Sequence, residues 1–471
     1  MSTRALHLLT FLAVCGAVAA PARAYNTKFC VTVNVTFTDS SNGGTDPVWQ
    51  LLAGASPERI EDNWWTQTAA RPPRGARYEL KAGSFILMSG YLDDGFGTQG
   101  AGCTANYTGR LTPNTMVIYS RGSIQSNWLY SYDSYRAVDS MTTTFTGVPQ
   151  SGEKPVYFGS PSTVEGRVWA GYIGGSFALY RHAGGETGNY FQLYLCQCTG
   201  SGATCDEVGN PPQGCNCADG PDPSDDCDPS NNTNYSMDAG NGSHLTSVLT
   251  TAGIRRKFTL VHEMGHIMAN KVTDGVANGG NCSGNDVEPC YEDGTGSHAF
   301  WSREGSRCAF KEAFADFYAA DVWNDHNEDN CAFKYYKVNA STTELGQSLG
   351  GAAFDCAGDA GNDFTNYQDD TQVAYLLQCT EYPWLNYHYF GLGTELDWTR
   401  VLWNVHTDGA SPPSYTTMVR WIRDCPEEGG QLNDPFAFFD LDDCADTEGG
   451  TLNTNWDTAK SVHAIDYVWL W

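Results

Sequence analysis

Positive charge is scarce in this chain of 471 residues: 27 lysines and arginines stand against 55 aspartates and glutamates, a formal charge of −28. A surface that acidic repels phosphate, which argues against nucleic acid or an anionic membrane as a partner. Beyond the first two dozen residues no apolar run reaches the roughly 20 residues needed to span a bilayer, so no membrane span is expected. No segment repeats, and no strand–helix–strand alternation marks a parallel α/β sheet. The acidic runs at 222–228, 325–330 and 440–446 lack the spacing of an EF-hand loop and read as solvated loops. Ca2+ binding by them is the second reading.

The residues present are those of a globular protein. Hydrophobic side chains make up 41% and aromatics 13%, enough to exclude a disordered chain. The length suits two or more domains and a large core.

The first 24 residues read as an export signal. Arg4 lies in a short basic start, an apolar run covers 5–20, and Ala22-Arg23-Ala24 forms a small-x-small cleavage pattern. Leu12-Ala13-Val14-Cys15 is similar to a lipoprotein signal, but Val14 stands where a small residue is normal. A chain starting at Tyr25 loses the two arginines of the leader, and its charge moves from −28 to −30. It would be secreted, extracellular or periplasmic. That setting changes how the cysteines are read. Of 17, one lies in the leader, and an even number remains in a compartment that permits disulfides. Cys196, Cys198, Cys205, Cys215, Cys217 and Cys227 crowd one Gly/Pro/Asp-rich segment, read as a disulfide-stapled insertion at 196–230 rather than a metal knot.

From Tyr25 to about residue 150 the pattern has period two. Val31, Val33, Val35 and Phe37 alternate with Thr32, Asn34 and Thr36, the signature of a half-buried strand. Further strand-like runs lie at 85–88, 116–119 and 141–146. Together they predict an antiparallel β-sandwich domain over 25–150, loosely similar to the prealbumin-like sandwiches appended to secreted enzymes. After residue 159 the texture changes. A short helix is expected at 175–182, a strand at 190–195 and an irregular strand at 234–245. Helices are expected at 246–270, 308–323, 395–406 and 415–423. Strands followed by helices predict an α+β chain, with a second domain over 160–471.

One of these helices carries chemistry. His262, Glu263 and His266 form His-Glu-x-x-His. Residues four apart share a helical face, so both imidazoles can reach one metal ion, with Glu263 beside them to hold a metal-bound water. Ile254, Phe258, Val261, Met264, Ile267 and Met268 make an apolar stripe that the histidines border. Gly265 costs a helix about 1 kcal/mol relative to alanine, which points to close approach by another backbone or a ligand. The competing reading is two satisfied, partly buried histidines.

A catalytic zinc needs a third protein ligand. A histidine six residues after the second ligand is ruled out, because Val272 stands there. A second helix offers Glu312 and Asp316, four apart on one face, while Phe310, Phe314 and Phe317 form its apolar side. Glu312 can ligate the metal, and Asp316 can accept the free ring N–H of a ligand histidine and fix its tautomer. The competing reading is two surface acids on an amphipathic helix.

His262-Glu263-Met264-Gly265-His266 followed by Glu312-Ala313-Phe314-Ala315-Asp316 resembles the gluzincins, the thermolysin-like and fungalysin-like zinc metallopeptidases. The specific match covers two short helices. The resemblance implies a zincin-like catalytic domain, Zn2+ held by His262, His266 and Glu312, Glu263 as general base and then acid, and Asp316 as the orienting partner. It implies a protein or peptide substrate and a metalloendopeptidase rather than an aminopeptidase, since no Gly-x-Met-Glu-Asn-type element precedes the zinc helix. Such enzymes carry a histidine or tyrosine that steadies the oxyanion; His388, His406, His463 and Tyr291 are the candidates. The strand expected at 234–245 would line the cleft. The alternative is a secreted non-catalytic or latent zinc-binding protein that uses the β-sandwich for binding; the sandwich itself reads as a targeting module, a prodomain or a structural support.

Overall fold

The computed structural model describes residues 24–37, 68–94, 102–133, 139–159, 163–182, 190–195, 235–238, 245–249, 253–255, 257–272, 306–323, 341–342, 347–348, 395–407, 411–424, 441, 444–446 and 450–462. The export signal, the cysteine-rich insertion, His388, His463 and Tyr291 lie outside them. The described chain is α+β.

Strand β1 (Asn26–Thr36) follows the period-two expectation closely. Phe29, Val31, Val33 and Val35 are buried, and the residues between them are half-exposed. It lies between β2 (Thr68–Arg71), antiparallel, and β8 (Ser151–Phe158), parallel, in a three-stranded sheet. The second sheet has eight strands. It contains β3 (Ala76–Ala82), β4 (Phe85–Tyr91), β5 (Thr115–Ile124), β6 (Asn127–Asp133) and β7 (Ser140–Thr144) from the N-terminal part. It continues through β9 (Tyr190–Leu195), β11 (Leu245–Leu249) and β10 (Tyr235–Asp238), in the order β10-β11-β9-β6-β5-β3-β4 with β7 alongside β5.

The boundary expected near residue 150 therefore does not divide the sheet. β6 pairs in parallel with β9, from Trp128 opposite Tyr190 to Asp133 opposite Leu195. Buried side chains from both sides of that point, Val33 and Leu129 as well as Leu193, Leu260 and Phe314, belong to one hydrophobic cluster. Alternation in a sequence reports which residues sit in strands; it does not report which strands they pair with.

Two element bounds also differ from expectation. The irregular strand at 234–245 resolves into β10 and β11, which pair antiparallel. The helix expected from residue 246 begins later, because 245–249 is strand and Gly253–Arg255 is a single 3-10 turn. Thr246 and Val248 are β-branched and suit a strand. The helix itself, α2, covers Lys257–Val272.

Helix α1 (Thr163–His182) is longer than its glycine-rich sequence suggests. It packs on β5, β6 and β9 and on α2. Ser131 Oγ donates to Val168 O at 2.8 Å, and Tyr172 OH to Arg74 O at 2.9 Å, both buried. A Cβ on Gly174 would lie 2.5 Å from Leu260 Cδ2, so Leu260 of α2 fills the space that a side chain there would take. The remaining helices are α3 (Ser306–Trp323), α4 (Glu395–Thr407), α5 (Tyr415–Asp424) and α6 (Gly450–Val462). Helix α6 was not anticipated. It packs on α4, where Asn455 donates to Val405 O at 3.1 Å, and Trp456 meets Trp421 of α5 edge-on with ring centroids 5.2 Å apart.

Cys30 and Cys103 are joined, closing a separation of 73 residues and tying β1 to the segment that also bridges Thr27 to Tyr107. Restricting the unfolded chain over a loop of that size is worth about 4 kcal/mol. No described helix is long and apolar enough to cross a membrane.

Candidate metal centre

Helices α2 and α3 lie against each other at a point where both are nearly bare of side chains. A Cβ on Gly265 would fall 2.6 Å from Ala315 Cα and 2.8 Å from Ala315 O. Those are backbone atoms, so no rotamer change could relieve the contact. The cost of a glycine within a helix thus has its physical reason: only glycine admits the neighbouring helix this close. The contact sits between His262 and His266 in one chain direction and between Glu312 and Asp316 in the other, which brings the four side chains together.

The apolar stripe anchors α2. Ile254, Leu260, Val261, Met264, Ile267 and Met268 are buried, as are Phe310, Phe314 and Phe317 on α3. The polar groups enter this core rather than facing water. Glu312 is 5% exposed and Asp316 is fully enclosed, which rules out their reading as surface acids.

The ring nitrogens converge on one carboxylate. His262 Nδ1 is hydrogen-bonded to Asp316 Oδ1. Its other nitrogen, Nε2, faces Glu312 Oε2 at 3.5 Å, and His266 Nε2 approaches the same oxygen at 3.0 Å. If His262 donates from Nδ1 to Asp316, its Nε2 presents a lone pair to a carboxylate that already faces a second imidazole. Acceptors converge in that way only around a cation, a proton or a metal ion. The ligand atoms of His262, His266 and Glu312 all lie within 4.8 Å of one another. Three ligands of a tetrahedral zinc at about 2.0–2.1 Å would stand roughly 3.3 Å apart, and the contacts at 3.5 and 3.0 Å bracket that spacing. The residues present therefore fit a metal ion.

Electrostatics separate the two histidines. Burial opposes charge on both rings. On His262 the neighbouring charge and hydrogen bond of Asp316 override it, with Glu312 and Glu263 adding, and hold the ring well above its ordinary value. On His266 burial wins over the pull of Glu312 and brings the ring down to about 4. His266 is thus a neutral imidazole ready to ligate, and its Nδ1 has no hydrogen-bond partner among the described residues. The carboxylates favour a second proton on His262; a metal ion would take its place on Nε2 while Asp316 holds the proton on Nδ1.

Loss of that orientation is measurable. Asp316→Asn keeps the shape but turns a strong acceptor into a weaker one, and zinc affinity should fall about 10- to 100-fold. Competition with a chromophoric chelator would read the change; an unaltered affinity would remove Asp316 from the site.

Glu263 is 5% exposed on the same helix, and its charge is felt at the His262 ring. His406, a candidate for steadying an oxyanion, is placed elsewhere. It sits on α4 with Nδ1 at 2.8 Å from Pro413 O and Nε2 at 3.2 Å from Asp321 Oδ1, so both nitrogens are engaged with groups other than His262, His266 and Glu312. That cluster, with His182 on the other oxygen of Asp321 at 2.9 Å, carried no spacing signal in the sequence, because its members come from three helices. Comparison with family models, with curated proteins and with solved structures finds no match to this chain, so its chemistry is read from these residues alone.

Proposed function

We propose that this protein is a secreted zinc-dependent peptidase that hydrolyses internal peptide bonds of proteins or peptides. The observation that carries the reading is the convergence of His262, His266 and Glu312, with Asp316 behind His262 and the carboxylate of Glu263 next to it in sequence. A purely structural zinc site has no need of that additional buried carboxylate. The gluzincin resemblance of the two helices and the zincin-like reading of 160–471 rest on the same residues. Export is supported by the Cys30–Cys103 disulfide, which suits an oxidising compartment.

Bound zinc supplies an acidified water and polarises the scissile carbonyl. The chain's own residues then have distinct tasks. His262 and His266 hold their faces toward the site from one helix, and Glu312 supplies the anionic ligand from the other. Asp316 keeps His262 in the tautomer with its proton on Nδ1. Glu263 takes a proton on its carboxylate from the attacking water and delivers it to the departing amine nitrogen. Substrate would enter beside β10, which packs against α2 and, among the described residues, pairs only with β11. An extended peptide could join β10 on the side away from β11 as a further strand.

The purified chain supplied with Zn2+ is expected to cleave a mixed peptide library, to stop on chelation and to resume when Zn2+ is restored. A chain that binds one zinc ion through these residues and cleaves nothing would overturn the peptidase reading in favour of a zinc-binding protein.

A further inference from the structure

The metal centre uses one face of α3. The opposite face holds a second buried charge. Nine residues separate Glu312 from Asp321, which is roughly two and a half turns and places them on opposite sides of the helix. Asp321 is 3% exposed and is bracketed by two imidazoles, His182 from the end of α1 and His406 from the end of α4. The imidazoles meet different oxygens of the carboxylate, Oδ2 at 2.9 Å and Oδ1 at 3.2 Å, the arrangement of a bridge rather than a chelate.

His406 sits between two acceptors. Its Nδ1 faces the carbonyl of Pro413, in the turn before α5, and its Nε2 faces Asp321. A neutral imidazole has one N–H and could satisfy only one of them, leaving a lone pair pointed at the other oxygen. An imidazolium satisfies both. We propose that His406 is doubly protonated in the folded protein and clamps α3, the helix bearing Glu312 and Asp316, to α4 and to the turn before α5, and that rising pH opens this clamp.

Other charged and titratable groups lie on the elements packed around this cluster. From α1, Arg181 donates to Asp321 O at 3.4 Å and its charge disfavours a second cation nearby. From α3, the Tyr318 hydroxyl is buried and held neutral by burial and by Asp321. Tyr415 of α5 lies against His182 with the rings tilted and their centroids 4.5 Å apart. On α6, Asp457 and Lys460 pair with each other. Burial opposes the charge on His406, but the carboxylate of Asp321 overrides it and raises the ring above its ordinary value. Burial likewise opposes the charge on Asp321, and the two histidines override it and hold the carboxyl well below its usual range.

The direction in pH follows. A raised histidine stabilises the fold fully below about 6.5, the unfolded value. That stabilisation is lost as pH rises through the folded value, and in this window the opening equilibrium shifts by up to about tenfold per pH unit. Asp321 acts at the other end: its contribution is present above about 3.8 and is lost as pH falls through its depressed value.

The test uses the whole chain, with and without Zn2+, so a protein that never binds zinc still tests the clamp. Amide hydrogen exchange is followed by mass spectrometry from pH 6 to 9 and corrected for base catalysis of exchange itself. Peptides spanning 400–418 should open up to about tenfold faster per pH unit above 6.5, while those of β5 and β6 stay level. His406→Gln, which keeps one donor but no charge, should exchange faster at neutral pH and lose the dependence. In protein labelled with 15N-histidine, the His406 signals, assigned by their loss in that variant, should show both nitrogens protonated at pH 7. A neutral His406 at pH 7, or a flat exchange profile over 400–418 in the wild-type chain, would overturn the proposal even if the variant does not fold.

Discussion

Replacing Glu263 by glutamine should leave zinc bound and abolish peptide cleavage. Glutamine has nearly the same volume, so the packing around a residue that is 5% exposed is kept. None of the three ligand atoms is changed. What disappears is the group proposed to accept a proton from the attacking water and return it to the leaving amine. General acid–base catalysis of this kind contributes about 10²- to 10⁴-fold to a rate, so kcat should fall by at least that factor at unchanged zinc content. Metal analysis and peptide-library cleavage on the same preparation check both halves. Full activity in Glu263→Gln with zinc bound would move the proton acceptor to another residue and remove the main support for a gluzincin-type mechanism.

Gly265→Ala should damage the metal site without touching a ligand. Two effects oppose each other. Alanine is the better helix former by about 1 kcal/mol, so the change would stabilise an isolated α2. In the folded protein the new methyl would meet Ala315 Cα at 2.6 Å and Ala315 O at 2.8 Å, against an ordinary carbon–carbon contact of about 3.5–4.0 Å. Relief requires the helices to part by roughly 1 Å, since neither atom can rotate away. Overpacking of this sort costs about 1–3 kcal/mol, which exceeds the propensity gain. The consequence for the metal is larger. Zinc–ligand distances tolerate only about 0.2 Å, and the two histidines stand on one of the parting helices while Glu312 stands on the other. Zinc affinity should drop more than tenfold, with a smaller loss of thermal stability, measured by chelator competition and by calorimetry. Gly265→Ala with native zinc affinity would show that α2 and α3 can separate without opening the site.

Much of the candidate site was legible in the sequence because helical spacing constrains it locally. Four-residue steps put His262 with His266 and Glu312 with Asp316, and the cost of Gly265 foretold a close backbone. What spacing could not say was which helices meet; the burial of Glu312 and the opposite pairing of Asp321 depend on that. The strands were legible one at a time for the same reason. β1 and β9 were foreseen from their own residues, whereas β6 was missed. The turn before it, Gln125-Ser126, has both residues at positive φ, 47° and 67°, yet carries none of the Asn or Gly that signals such a turn. Pairings between distant strands left no local trace, so the sheet's passage through residue 150 emerged only in the structure.

The parallel pairing of β1 with β8 also sets a schedule for synthesis. Asn26 has to wait for Ser151, roughly 125 residues that take on the order of ten seconds to make at about 5–20 residues per second. During that interval Phe29, Val31, Val33 and Val35 have no completed sheet to enter. Cys103 precedes β8 in the chain, so in a chain exported as it is made its bond to Cys30 would hold β1 near the segment it finally borders before β8 reaches the same oxidising compartment. The order of synthesis would thus give this crosslink a role in maturation that its contribution to the finished fold does not describe.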